Sequence, residues 1–158
     1  MKKKSEIIFS LYAKKLSSKR LAESFIQEVL VPILGEGGSV AILFSGHLGA
    51  GKTQTIQWMA RALGITERPK SPTFTLWHTH TFTVKNKVCV LHHVDAYRLK
   101  DPRELFSLDL KKAIQRPSTL CFIEWGDLLQ SAMPKPFLLW HIDVKEKNTR
   151  EITCTLYD

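Results

Sequence analysis

The chain has 158 residues, 44% of them hydrophobic and 24% charged, proportions ordinary for a globular protein, and this length suits one domain with one core. No apolar run approaches the roughly 20 residues a membrane-crossing helix needs, so a helical membrane protein is excluded. Lysine and arginine total 23 against 15 aspartates and glutamates, a net charge of +8 that favours contact with nucleic acid or an acidic partner.

The basic residues fall in small groups, Lys2 to Lys4, Lys14-Lys15-Lys19-Arg20, Lys111-Lys112 and Lys145-Lys147-Arg150, which read first as solvated surface. No RRM-like aromatic pattern or zinc-knuckle spacing accompanies them. Cys89, Cys121 and Cys154 are an odd number with no CxxC pair, the pattern of free buried thiols in a reducing compartment.

At the N-terminus, Lys2 to Lys4 precede the apolar run Ile7 to Ala13, an arrangement that could open a secretion signal. Lys14 and Lys15 close the run and no small-residue cleavage site follows, so an edge strand and a cytoplasmic protein are expected. Ser17-Ser18 can cap a helix whose buried stripe is Leu21, Ala22, Phe25, Ile26, Val29 and Leu30, ended by Pro32 and Gly35 to Gly38. Ser39 to Ser45 is continuously apolar up to its last serine, as a strand buried on both faces is. A helix from about Lys52 to Leu63, with Ile56, Met59, Ala60 and Leu63 inward, stops at Gly64. Phe74 to Val84 and Val88 to Val94 read as a hairpin about Asn86-Lys87. Pro102 to Gln115 is amphipathic and helical, Thr119 to Ile123 is an apolar strand closed by Glu124, and Phe137 to Val144 and Arg150 to Tyr157 are two last strands. This order predicts an α/β fold with a sheet mainly parallel at its centre and antiparallel additions.

Between the first apolar strand and its helix lies GHLGAGKT, Gly46 to Thr53, which fits the phosphate-binding pattern G-x4-G-K-[ST]. Chance matches in a chain of this length are on the order of 0.5%, and the flanking strand and helix lower that further, so the pattern carries weight. Glycines let backbone N–H groups approach phosphate oxygens, and the N-terminus of the following helix faces the anion. Lys52 supplies an ammonium to the β- and γ-phosphates and Thr53 a hydroxyl to Mg²⁺. Gly46, Leu48, Gly49, Ala50, Gly51, Lys52, Thr53 and Gln54 are the candidate nucleotide contacts in this stretch.

Hydrolysis also needs a carboxylate near the metal and a group that orients water. Ligands of parallel α/β sheets gather at the carboxyl ends of strands, and two acids stand at such ends: Glu124 after TLCFI and Asp95 after VCVLHHV. Either could hold Mg²⁺ or orient the attacking water. SPTF, Ser71 to Phe74, follows the P-loop helix, where many P-loop proteins carry a segment that senses the γ-phosphate; Ser71 and Thr73 are its candidate contacts. His78, His80, His92 and His93 raise a zinc site, weakly, because adjacent His92 and His93 point to opposite sheet faces. His93 and Asp95 share a face, so His93 is a candidate to position Asp95. Asn86-Lys87-Val88-Cys89 begins like the guanine-reading Asn-Lys-x-Asp but has cysteine where aspartate is required, which favours ATP over GTP.

In chain order, GHLGAGKT, SPTFTL, HVDAYRL (His93 to Leu99) and IEWGD (Ile123 to Asp127) resemble the signature segments of the TsaE family, formerly YjeE. The resemblance runs from about Ser18 to Arg150. It implies a P-loop NTPase-like three-layer α/β fold and a weak Mg²⁺-dependent ATPase. It also implies action with TsaD-like and TsaB-like partners in making threonylcarbamoyladenosine in tRNA, with tRNA met through that complex. Carried over by position, it implies that Lys52 binds phosphate, that Thr53 and Glu124 hold Mg²⁺, that Asp95 positions water, and that Thr73 lies in the switch-like segment. Asp95 and Glu124 are thus the candidate catalytic residues. The chain departs from the family pattern at His47 and Gln54, and at Leu108-Asp109, where Leu-Gly is usual. Two other readings stay open at this point: a small-molecule P-loop kinase, and a nucleotide-gated binding module in which hydrolysis is incidental.

Overall fold

The computed structural model describes residues 5–67, 77–97, 99, 101, 104 and 109–158. Its strands are β1 (Ser5–Lys14), β2 (Val40–Ser45), β3 (Trp77–Val84), β4 (Lys87–Asp95), β5 (Thr119–Glu124), β6 (Phe137–Glu146) and β7 (Thr149–Tyr157). Its helices are α1 (Lys15–Phe25), α2 (Val31–Gly35), α3 (Lys52–Ala62) and α4 (Leu110–Ile114).

The apolar β2 is central because a strand without a polar face must be covered on both sides. It is the fourth of seven strands in the order β1-β7-β6-β2-β5-β4-β3. It runs parallel to β5 and β6, and β5 runs parallel to β4. Antiparallel pairs complete the edges: β3 on β4, and β6-β7-β1 on the far side. The sheet is therefore parallel at its centre with antiparallel additions, and Ser5–Lys14 is an edge strand as expected.

Alternate side chains of the strands feed two cores, which makes the three layers. Ile42, Phe44, Leu91, Leu120 and Phe122 pack with Ala22, Phe25, Ile26, Ile56 and Met59 of the long helices. Ala41, Leu43, Val94, Cys121 and Ile123 pack on the opposite face with Leu110, Ile114, Leu129 and Met133. Trp140, fully buried, lies edge-on to Phe9 at 5.2 Å and to Phe25 at 5.1 Å and so joins β1, β6 and α1; such pairs contribute about 0.5–1.5 kcal/mol each beyond burial. Cys89, Cys121 and Cys154 are free and buried; burial raises the thiol pKa of all three, that of Cys154 to about 12. Among the described residues no helix is long and apolar enough to cross a membrane.

Several local expectations are corrected. The first helix starts at Lys15, ahead of Ser17-Ser18, and the Ser18 hydroxyl donates back to the Lys14 carbonyl at 3.0 Å instead of capping. Nor does Pro32 end it. A π-helical turn at Ile26–Leu30 intervenes and Pro32 sits in the first turn of α2, where a helix has no use for its N–H. The hairpin turns on Lys85-Asn86, not Asn86-Lys87, because both take positive φ (47° and 64°), the left-handed pair that matches strand twist. β6 continues past Val144 to Glu146, which shortens the last turn to Lys147-Asn148.

Asp109 breaks the continuous helix expected over Pro102 to Gln115. With φ at 60° it is left-handed and precedes the helix Leu110–Ile114; Glu104 is also helical, and residues 102–103 and 105–108 lie outside the described residues. A glycine takes that conformation freely, whereas a β-carbon is strained there. Asp109→Gly is expected to stabilise the chain by about 0.5 kcal/mol and Asp109→Ala to cost about 1 kcal/mol, read from urea unfolding; the opposite order would contradict the assignment of strain.

Candidate functional site

The site is built where β2, β4 and β5 end. β2 delivers the chain into Gly46, and the loop returns it to the N-terminus of α3. Three loop glycines have positive φ: Gly46 at 139°, Gly49 at 78° and Gly51 at 111°. At Gly46 the need is steric as well, since a β-carbon would collide with the Ile142 carbonyl of β6. A β-carbon at Gly49 or Gly51 would have nothing within 4 Å, so these glycines are set by their positive φ and not by crowding. The loop is braced by Ala50 N–H donating to the His47 carbonyl at 3.1 Å, and by Thr55 N–H and hydroxyl both donating to the Gly51 carbonyl at 2.9 Å.

Lys52 turns back into this loop. It is 5% exposed, and its Nζ donates to the carbonyls of Gly46 at 2.6 Å and His47 at 3.0 Å while lying 3.8 Å from the centre of the Trp125 ring. Burial lowers its pKa, against the pull of the carboxylates of Glu124, Asp127 and Asp95. The ammonium thus sits where the loop carbonyls and an aromatic face replace water.

Asp95 and Glu124 stand side by side. They are register partners on parallel β4 and β5, each 3% exposed, at the carboxyl ends of their strands. The Thr53 hydroxyl donates to Glu124 Oε2 at 2.6 Å, and Glu124 Oε1 accepts from His93 Nε2 at 2.8 Å. Asp95 Oδ1 accepts the N–H of Tyr97 at 2.9 Å, which fixes one edge of that carboxylate. Here the expectation for His93 is corrected. Its Nε2 is bonded to Glu124 and its Nδ1 has no partner, so the carboxylate it orients is Glu124, not Asp95.

Leu48, Gly49, Gly51, Lys52, Thr53 and Gln54 line a cleft of about 420 Å³ together with Asp95, Tyr97, Glu124 and Trp125. Lys52, Thr53, Asp95 and Glu124, which come from three separate stretches of the sequence, all line this cleft. Gly46 and Ala50 complete the loop behind them, Ala50 buried beneath it. Ser71 and Thr73 lie outside the described residues, as does Arg98. Trp125 adopts left-handed φ of 58° immediately after Glu124, which turns its ring back over Lys52 and against Tyr97 at 4.9 Å.

The histidine-rich strands make no metal centre: among the described residues no three His, Cys, Asp or Glu side chains are grouped to hold an ion. Trp77 Nε1 donates to His92 Nδ1 at 3.0 Å, and burial, followed by the nearby Arg116 charge, lowers the His92 pKa. The segment that resembles a guanine-reading motif is remote too. Lys87 begins β4 and Asp95 ends it, roughly 26 Å apart along an extended strand.

Arg150 was read only as part of a basic surface group. It is half-buried, and its Nε donates to the Ala50 carbonyl at 3.1 Å, pinning the β6–β7 hairpin to the phosphate loop. A contact between residues a hundred positions apart leaves no local pattern to find. Lys145 of the same group is paired with Asp143 at 2.7 Å and Glu151 at 2.9 Å, so part of that basic surface is neutralised. Arg150→Ala is expected to weaken nucleotide binding about threefold to tenfold with little change in melting temperature, and Arg150→Lys to fall between; calorimetric titration distinguishes this from a purely structural role.

Glycine-rich loop, buried lysine and paired strand-end acids on a mainly parallel sheet define a P-loop NTPase-like α/β fold. Among solved structures, the crystal structure of YdiB from Bacillus subtilis aligns with 100% of this chain and 89% of its own, at TM-score 0.67 and 23% identity, a likeness of fold. The family model described as "Threonylcarbamoyl adenosine biosynthesis protein TsaE" matches residues 12–152. Curated proteins named tRNA threonylcarbamoyladenosine biosynthesis protein TsaE are similar over most of the chain. That of Treponema pallidum is 36% identical across 75% of this chain and 82% of its own, and that of Nostoc sp. 42% identical across 80% of each. The chain belongs to the TsaE family.

Proposed function

We propose that the chain is the ATP-binding and ATP-hydrolysing subunit of the machinery that makes threonylcarbamoyladenosine in tRNA, acting in the cytoplasm with TsaD-like and TsaB-like partners. Family membership and fold imply a nucleotide-binding protein. The observation that carries the finer reading is the convergence of Lys52, Thr53, Asp95 and Glu124 on one cleft beneath the glycine loop. Hydroxyl and carboxylate oxygens are the hard donors Mg²⁺ prefers, and so small a protein set suits an ion that keeps waters and phosphate oxygens as its other ligands.

In this reading the loop from Gly46 to Gly51 presents its backbone to the phosphates, and Lys52 exchanges the Gly46 and His47 carbonyls for the β- and γ-phosphate oxygens. Thr53 and Glu124 would hold Mg²⁺, whose chemistry when bound is to neutralise phosphate charge. Asp95, held through Oδ1 by Tyr97 N–H, is assigned to orient the attacking water. Thr73 contributes from the switch-like segment. A second cavity of about 220 Å³, lined by Gln54, Trp58, Asn148 and Arg150 among others, shares Gly51 and Gln54 with the cleft and is a candidate to take the base.

Apolar side chains stand in water at the cleft mouth: Leu48 is 85% exposed at the loop tip and Tyr97 56% exposed across from it. A partner that covers them would close the site over ATP, which fits turnover that is weak alone and stimulated in the complex. The same rim is the observation that favours the nucleotide-gated binding reading. Cells carrying Glu124→Ala as their only copy separate the two: lost threonylcarbamoyladenosine in tRNA, measured by mass spectrometry, supports hydrolysis as the function, and retained modification without hydrolysis supports gating.

A further inference from the structure

We propose that His93 is a positioning residue for the metal site, holding Glu124 in its metal-binding orientation through the hydrogen bond that its Nε2 donates to Oε1. The inference rests on the reading of Glu124 as a Mg²⁺ ligand and goes beyond it to a residue that touches neither metal nor nucleotide.

His93 is fully buried, and its ring makes one polar contact, Nε2 to Glu124 Oε1 at 2.8 Å; Nδ1 is buried with no partner. The carboxylate can only accept, so Nε2 must donate. Nδ1 has no acceptor, so a proton there would be stranded. The Nε2–H tautomer is the one that satisfies this geometry. A leucine or phenylalanine would fill this core position, beside Phe122 on the next strand, without an unsatisfied nitrogen. Keeping a histidine there is explained by what its other nitrogen does.

That task becomes clear from Glu124's second oxygen. Among the described residues, Oε2 is hydrogen-bonded by the Thr53 hydroxyl at 2.6 Å. Thr53 is itself assigned to the metal, and a hydroxyl drawn to a cation no longer holds the carboxylate in the same way. In the loaded site Glu124 would lose this restraint just when its direction matters. His93, reaching Oε1 from inside the core, is unaffected by the metal and keeps the carboxylate aimed. Outer partners of this kind typically change metal affinity 10- to 100-fold when removed.

The test uses the full chain and the non-hydrolysable analogue AMP-PNP, titrated with and without Mg²⁺. The ratio of the two affinities is the metal's contribution and does not depend on turnover. His93→Gln places an amide N–H near the position of Nε2, and His93→Asn places it near Nδ1, short of Glu124. Both put a similar polar group into the same core, so their shared structural cost cancels in the comparison. The Gln variant is expected to keep the Mg²⁺ effect within about threefold of wild type and the Asn variant to lose about tenfold, with Mg²⁺-free affinity alike in all three. A Mg²⁺ response equal in Gln and Asn variants overturns the role of His93 alone. A wild-type chain indifferent to Mg²⁺ overturns the metal site and His93's role with it. Nitrogen-15 NMR of the wild-type imidazoles needs no variant: an Nε2–H tautomer, kept when AMP-PNP and Mg²⁺ are added, is expected, and an Nδ1–H tautomer overturns the proposal.

Discussion

Lys52→Ala is expected to weaken ATP binding by at least about 100-fold and to abolish ATP-dependent function. The ammonium is already desolvated, 5% exposed between two loop carbonyls and the face of Trp125, so exchanging those carbonyls for charged phosphate oxygens requires little new dehydration. A hydrogen bond between charged groups contributes about 1.5–3 kcal/mol, and two of them correspond to at least the stated factor. The fold should tolerate the change, because Lys52 lines an open cleft, which water can fill when its side chain is removed. Isothermal titration with ATP and Mg²⁺ reads the effect. Binding as tight as wild type in Lys52→Ala would place the nucleotide elsewhere.

The second large effect is expected at Glu124. Glu124→Gln keeps a side chain that can still pair with Thr53 and His93 but removes the negative charge a divalent cation needs. ATP turnover should fall about 100-fold or more, while nucleotide affinity without Mg²⁺ stays within about threefold of wild type. Asp95→Ala should resemble it in turnover but keep the Mg²⁺ dependence of binding, because Asp95 is assigned to water and not to the metal. Equal loss of Mg²⁺ dependence in both variants would mean that the two acids share the ion.

The central machinery was legible in the sequence because its parts are local. The phosphate loop is eight contiguous residues, and its strand and helix are marked by opposite hydrophobic periodicities. Asp95 and Glu124 each close an apolar strand, and a parallel sheet brings such ends together, so their register pairing follows from topology. What stayed hidden depends on contacts between distant segments or on backbone conformation. The grip of Arg150 on Ala50 and the bond from His93 to Glu124 are of the first kind. Shared strand parity led from His93 to Asp95 on its own strand, whereas the acid it reaches is on the neighbouring one. The left-handed Asp109 and Trp125 are of the second kind: the local pattern around neither marks positive φ, yet one interrupts a helical path and the other turns a ring over Lys52. Pro32 misled for a related reason, since a π turn upstream lets the helical path continue through it.

ATP hydrolysis by the purified chain, alone and then mixed with its own organism's TsaD-like and TsaB-like proteins, tests the central claim most directly. Feeble turnover alone, a marked rise in the mixture and its loss in Glu124→Gln are expected. A rate that the partners leave unchanged, with no gain in their binding when ATP is added, would contradict an ATPase subunit working within that assembly.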